Sequence, residues 1–161
     1  MGTEMTEMND EVIRIMQAYG NSIYRMSFFL LRNEQDAQDV LQETLIKYIQ
    51  KAPVFETADY EKAWLLKVAN NLCKDMLRFQ KKNRHVNIED LLDMGIAQED
   101  SNLLTQVWSL PEKYKRAIYL HYYEGYSVLE IADILNISES AVKKRLERGR
   151  DKLREILKED M

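Results

Sequence analysis

Apolar residues recur along this chain at steps of three and four, and strand-type alternation persists nowhere, so the pattern predicts helices from end to end. Val12, Ile15, Met16 and Tyr19 share one face of a helix over 11–19, and a strongly apolar helix continues over 23–31. Asn33 is placed to cap the next helix, with Asp36 three residues later and Val40, Leu41, Leu45 and Ile49 on its core face. Asp36, Asp39, Gln42, Glu43 and Lys47 look the other way, and Pro53 closes the element. Trp64, Leu65, Val68, Leu72, Met76 and Leu77 define a long helix whose polar side carries Lys67, Asn70, Asn71, Lys74, Asp75 and Arg78. The fold class is all-α.

The stretch from Gly125 to Arg150 is the most specific. Ser127 and Glu130 have the spacing of a capping box, with Ile131, Ala132 and Leu135 behind them at helical steps. Asn136 stands where the chain must turn and tolerates the left-handed conformation. Ser138 can cap a second helix, where Val142, Leu146, Gly149, Leu153 and Ile156 step by four, three, four and three into one buried stripe. The opposite side offers Ser140, Lys143, Lys144, Glu147 and Arg148. Two short helices joined by a tight turn, with cations along the second, suit insertion into a DNA major groove.

Charge sharpens the reading. The chain of 161 residues carries a net −4, yet residues 138–158 hold eight bases (Lys143, Lys144, Arg145, Arg148, Arg150, Lys152, Arg154, Lys158) against four acids (Glu139, Glu147, Asp151, Glu155). A basic helix in an acidic protein is what local phosphate binding requires. Residues 1–50 are acidic, 74–84 basic, and 86–107 hold five acids and no base. The last segment, with Gly95 and irregular apolar spacing, reads as a flexible acidic linker with some local helix. The expected organisation is therefore a helical domain over 1–84, a linker over 85–104 and a helix-turn-helix domain over 105–161.

Other chemistry is poorly supported. One cysteine excludes an internal disulfide, and Cys73 reads as a small packing residue. His85 and His121 lie far apart without partners at metal spacing, so neither a metal nor any other cofactor is expected. There are no paired catalytic carboxylates, no glycine-rich phosphate loop and no nucleophile beside a base, which leaves an enzyme and a small-molecule substrate without support. The apolar run 26–31 is too short for a signal peptide or a membrane span, so no membrane contact is expected and a cytoplasmic protein is the default.

Four segments together resemble the extracytoplasmic-function sigma factors, the compact group of bacterial RNA polymerase specificity subunits. They are Ile23–Met26, Asp36–Leu45, Trp64–Arg78 and Leu110–Arg150, in the family's order and spacing. The resemblance implies that Asp36, Asp39, Gln42 and Glu43 dock on the clamp coiled coil of the polymerase largest subunit. It implies that the helix from Trp64 to Arg78 melts and reads the minus-ten element. There Asn70 and Asn71 face the opened strand, Asn71 helps hold a flipped base, and Lys74, Arg78, Lys81 and Lys82 follow phosphates. The minus-thirty-five element would fall to Ser140, Lys143, Lys144, Glu147 and Arg148, on a domain that also meets the flap of the second-largest subunit. An anti-sigma partner is implied as well. Asn70 stands where the family often has Arg, and Gly149 where Ala is usual; the loop over 54–60 is too variable in the family to assign. A stand-alone helix-turn-helix regulator would share the C-terminal reader, but the basic segment 74–84 is not something a sensing domain needs.

Overall fold

The computed structural model describes residues 2–79 and 98–159, with side chains over 6–79 and 103–158. These form two compact units, one on each side of the break. Every regular element among the described residues is helical.

The first unit packs three helices. Helix α1 (Gly2–Leu31) is one continuous rod of 30 residues, longer at its start than the periodicity suggested. It buries Ile15, Ile23, Met26, Phe28, Phe29, Leu30 and Leu31 and ends at Arg32, which takes a left-handed conformation (φ 57°). Helix α2 (Glu34–Lys51) starts where Asn33 Oδ1 accepts from the Asp36 backbone N–H at 2.9 Å. It stops at Ala52, whose extended backbone (ψ 129°) suits the residue before a proline. Its buried positions are Ala37, Val40 and Thr44, whereas Ile49 is exposed, contrary to the expected core face. The rows at i, i+3 and i+7 turned inward, and the fourth step carried Ile49 out past the edge of the stripe.

Helix α3 (Ala58–Phe79) lies against both others. Leu65, Leu66, Ala69 and Cys73 are buried, and a cluster of Tyr48, Phe55 and Trp64 rings closes the end near the α2–α3 loop at centroid distances of 5.9–6.4 Å. Arg14 of α1 crosses to α3 with two hydrogen bonds to Glu61, at 2.9 and 2.8 Å. The Tyr48 hydroxyl donates to the same carboxylate at 3.0 Å, so one acidic side chain ties three helices together.

The second unit holds α4 (Gln98–Trp108), α5 (Glu112–Ile118), a π-helical turn (Tyr119–Tyr123), α6 (Val128–Leu135) and α7 (Glu139–Glu159). Within the expected linker over 85–104, for which some local helix is expected, 98–104 are helical. Leu104 and Val107 are fully buried, and burying that pair recruits the turns before it. The part of the expected linker over 85–97 lies outside the described residues. The cap geometry read from the sequence is present: Ser127 Oγ accepts from Glu130 N–H (3.2 Å), and Glu130 Oε1 accepts from Ser127 N–H (3.1 Å). Asn136 is left-handed (φ 57°, ψ 48°), and Ser138 Oγ accepts from Ala141 N–H at 3.1 Å.

Gly149 explains how closely α7 approaches α5. A Cβ at this position would lie 2.7 Å from Cγ1 and 3.0 Å from Cδ1 of Ile118, and 3.5 Å from Cβ of Tyr114. The glycine lies on the buried stripe with Val142, Leu146 and Leu153, so its place is in packing rather than in reading bases.

Candidate nucleic-acid interface

Helix α7 is packed on one side and exposed on the other. Val142 and Leu146 bind α7 to the unit, with Ile156 half-buried further along. Ser140, Lys143, Lys144, Glu147 and Arg148 are all exposed, as the sequence pattern placed them. The capping box, the left-handed Asn136 and the Ser138 cap fix the angle between α6 and α7, so the cations move as one rigid set.

Two tyrosines from earlier elements flank this face. Tyr114 of α5 packs on Gly149 and interacts with the Arg148 guanidinium. Desolvation pushes its phenol up, but the Arg148 and Lys113 cations outweigh that and hold it below the usual tyrosine value. Tyr122, in the π-helical turn, accepts from Arg150 NH1 at 3.1 Å. Arg150 counts among the eight bases of residues 138–158 but not among the residues expected to meet the minus-thirty-five element. The only available signal was its position on a basic helix, which gave no hint of a tyrosine 28 residues earlier.

The α3 face is divided. Asn71 and Arg78 are exposed, Arg78 with Asp75 at 3.8 Å, and Lys74 is half-buried. Asn70 is corrected: at 1% exposure it lies inside the stripe between Leu66 and Cys73, not on the polar side with Asn71. A step of four after Leu66 and of three before Cys73 puts position 70 on the inner row, whatever its polarity. Among the described residues neither amide atom of Asn70 has a hydrogen-bond partner. Lys81 and Lys82 lie outside the described residues.

On α2, Asp39, Gln42 and Glu43 are exposed and Asp36 is half-buried at the first turn. Gln35 Nε2 donates to Asp39 Oδ1 at 3.1 Å, leaving the outer face anionic. Ile46 and Ile49 continue this face as exposed apolar positions, at 44% and 42%, which the sequence reading had not placed there.

The remaining chemistry is sparse. Cys73 is fully buried. His121 Nδ1 lies 2.8 Å from the Tyr126 carbonyl oxygen. His85 lies outside the described residues. Among the described residues no group of three or more His, Cys, Asp or Glu could hold a metal ion, and no helix is long and apolar enough to cross a membrane.

The chain matches known sigma-factor families. The sigma-70 region 2 family matches residues 15–83, and the sigma-70 region 4 family matches residues 101–153. The chain is 30% identical to the ECF RNA polymerase sigma factor SigW of Bacillus subtilis (strain 168), over 93% of this chain and 90% of the relative. Two solved structures share its fold at 23% identity. CnrH, solved in complex with the cytosolic domain of CnrY, aligns over 95% of this chain and 91% of its own with a TM-score of 0.74. The sigma factor RpoE, co-crystallised with the anti-sigma factor NepR from Bartonella quintana, aligns over 96% and 99% with a TM-score of 0.68.

Proposed function

Since the chain belongs to the ECF RNA polymerase sigma factors, we propose that α2 docks it on core polymerase while α3 and α7 read the two promoter elements. The observation that carries this reading is the α7 face: five exposed polar side chains on a helix locked by a capped turn. Lys143, Lys144 and Arg148 are donors suited to guanine or phosphate, and Glu147 accepts from cytosine or adenine amino groups. Ser140 serves at the helix start, and the match to region 4 supports the minus-thirty-five element as the target.

In the first unit, Asp36, Asp39, Gln42 and Glu43 meet the clamp coiled coil of the polymerase largest subunit, whose contact must be basic to suit this face. Asn71 takes an unpaired base of the minus-ten element, with Lys74 and Arg78 on the strand backbone and Lys81 and Lys82 after them. Asn70 contributes by packing, since its burial removes it from the strand. Residues 1–84 would thus form the docking and melting domain. The minus-thirty-five domain, which also meets the flap of the second-largest subunit, would begin at about 98 rather than 105. The protein would work in the cytoplasm, where its polymerase is. An anti-sigma partner completes the proposal, supported by the complexes in which CnrH and RpoE were solved.

The test is a pair of binding measurements on the full chain. Asp39→Lys with Glu43→Lys should weaken binding to purified core polymerase and leave binding to a promoter duplex by the free chain intact. Unchanged core affinity would remove the assignment of the α2 face. Co-purification from the native host that recovers polymerase alone under every stress tried would count against the anti-sigma partner.

A further inference from the structure

Arginines are normally held in place by carboxylates, which fix the guanidinium and cancel its charge together. Several arginines here follow that rule. Arg14 pairs with Glu61 at 2.8 Å, Arg116 with Glu112 at 3.3 Å, and Arg154 with Asp151 at 3.2 Å. Arg150 differs. Its NH1 donates to the neutral hydroxyl of Tyr122 at 3.1 Å, and among the described residues it has no carboxylate partner. The neighbouring Asp151 is engaged by Arg154, and Glu147, one turn earlier, is not bonded to Arg150.

The phenol is 53% exposed and, among the described residues, has one ring neighbour. The Tyr122 ring meets His121 edge-on at 4.8 Å between centroids, and His121 Nδ1 lies 2.8 Å from the Tyr126 carbonyl. A chain of contacts thus runs from the backbone before α6 to one guanidinium on α7. His121 and Tyr122 both lie in the π-helical turn, Tyr119–Tyr123. The result is a half-buried cation that is oriented but not neutralised.

Its position matters. Positions 148 and 150 are two residues apart on a helix of 3.6 residues per turn, so they stand roughly 160° apart around the axis, on opposite borders of the exposed face. Side chains at the borders of a helix seated in a major groove lie beside the phosphate walls, within reach of them as well as of the outer base edges. We propose that Arg150 is a further DNA-contacting residue, a backbone phosphate contact at the border of the reading helix, and that Tyr122 is its positioning residue. The proposal rests on α7 being the promoter reader and adds to that reading a residue that carries affinity without sequence information.

The test uses the full chain and two duplexes. One is selected by the chain with core polymerase from a random-sequence library, and the other is an unselected duplex of equal length. Affinity is measured against salt concentration for the wild type, Arg150→Gln, Arg150→Lys, Tyr122→Phe, the Tyr122→Phe/Arg150→Gln pair and Arg154→Gln. Loss of one phosphate contact should reduce the salt slope by about one unit and weaken both duplexes by the same factor in Arg150→Gln. Arg150→Lys should retain the slope. Tyr122→Phe should weaken binding several-fold in the wild-type background and add nothing to Arg150→Gln, which a merely structural tyrosine would not do. Arg154→Gln, already paired on the same helix, should leave the slope unchanged.

Thermal melts check that each variant is folded, and Tyr122→Phe carries the test if Arg150→Gln is not: unchanged affinity in a folded Tyr122→Phe would then overturn the proposal. If the wild type binds and a folded Arg150→Gln matches it in affinity and slope, this proposal falls while the reader assignment stands. A changed sequence preference in Arg150→Gln would overturn it too, by making Arg150 a base contact. If the wild type selects no duplex, the underlying reading falls and takes this proposal with it.

Discussion

Replacing Arg14 with Met should destabilise the first unit more than replacing its partner Glu61 with Gln. The two side chains are joined by bonds of 2.8 and 2.9 Å, but their surroundings differ: the Glu61 side chain is 10% exposed and that of Arg14 46%. Removing Arg14 leaves a nearly buried carboxylate with the Tyr48 hydroxyl at 3.0 Å as its nearest remaining donor. Breaking a fully buried pair costs about 3–5 kcal/mol, and an exposed pair contributes about 0.2–1 kcal/mol. With one partner half in water, about 2 kcal/mol is the reasoned value for Arg14→Met. Glu61→Gln keeps an acceptor in place and leaves Arg14 both water and Glu11, at 3.1 Å, so about 1 kcal/mol suffices.

The pH dependence follows from the same contacts. The Arg14 hydrogen bonds outweigh desolvation and hold the Glu61 carboxyl below its usual range, and they lower Glu11 in the same way. The native state therefore binds fewer protons than the unfolded chain. The stabilisation is complete above the ordinary carboxylate range and is lost as pH falls through the lowered folded-state value. At the other end, burial and then the Glu61 hydrogen bond push Tyr48 up to about 12, so stability also falls as pH rises past the ordinary tyrosine value of 10.0. Urea unfolding followed by Trp64 fluorescence, in a Trp108→Phe background that silences the second unit, measures both variants. The Arg14→Met deficit should be the larger at neutral pH and shrink toward about pH 3. A Glu61→Gln deficit equal to or larger than it, or a deficit indifferent to acid, would refute the reasoning.

Leu146→Asp should unfold the second unit outright, because it places an unpaired charge on the stripe at 3% exposure; retained helical circular dichroism and a normal melt would contradict that packing. Ser127→Ala should cost about 1 kcal/mol by opening the capping box, read as a shift in the urea midpoint of the second unit. Arg148→Ala should cost about 1–3 kcal/mol of DNA binding and relax preference at one or two promoter positions, measured by competition with single-base variants of the selected duplex. If Lys144 contacts phosphate, Lys144→Ala should weaken all sequences equally, so a sequence-selective loss would make it a base reader.

The parts of the fold that local chemistry specifies were the parts readable in advance. Ser127, Glu130, Asn136 and Ser138 act within four residues of themselves, so spacing alone predicted their bonds and backbone. The α7 stripe was readable because its five inward positions keep one period. What escaped were tertiary facts. Asn70 is polar but sits on the inner row of α3, and residue type outvoted position in the sequence reading. Helix α4 was absorbed into an acidic segment because Leu104 and Val107 become informative only when their partners are known. Tyr48, Glu61 and Arg14 are separated by up to 47 residues, and Tyr122 and Arg150 by 28, beyond the reach of any periodic pattern.

The central claim is that this one chain supplies polymerase with promoter choice. The most direct measurement maps the 5′ ends of transcripts made on genomic DNA by purified core polymerase, with and without the full chain. The account predicts discrete start sites that appear only with the chain, preceded by two shared sequence elements at constant spacing. Those sites should be lost in the Asp39→Lys/Glu43→Lys variant, and Arg148→Ala should broaden the sequences accepted in the upstream element. Identical transcript ends with and without the chain would contradict it.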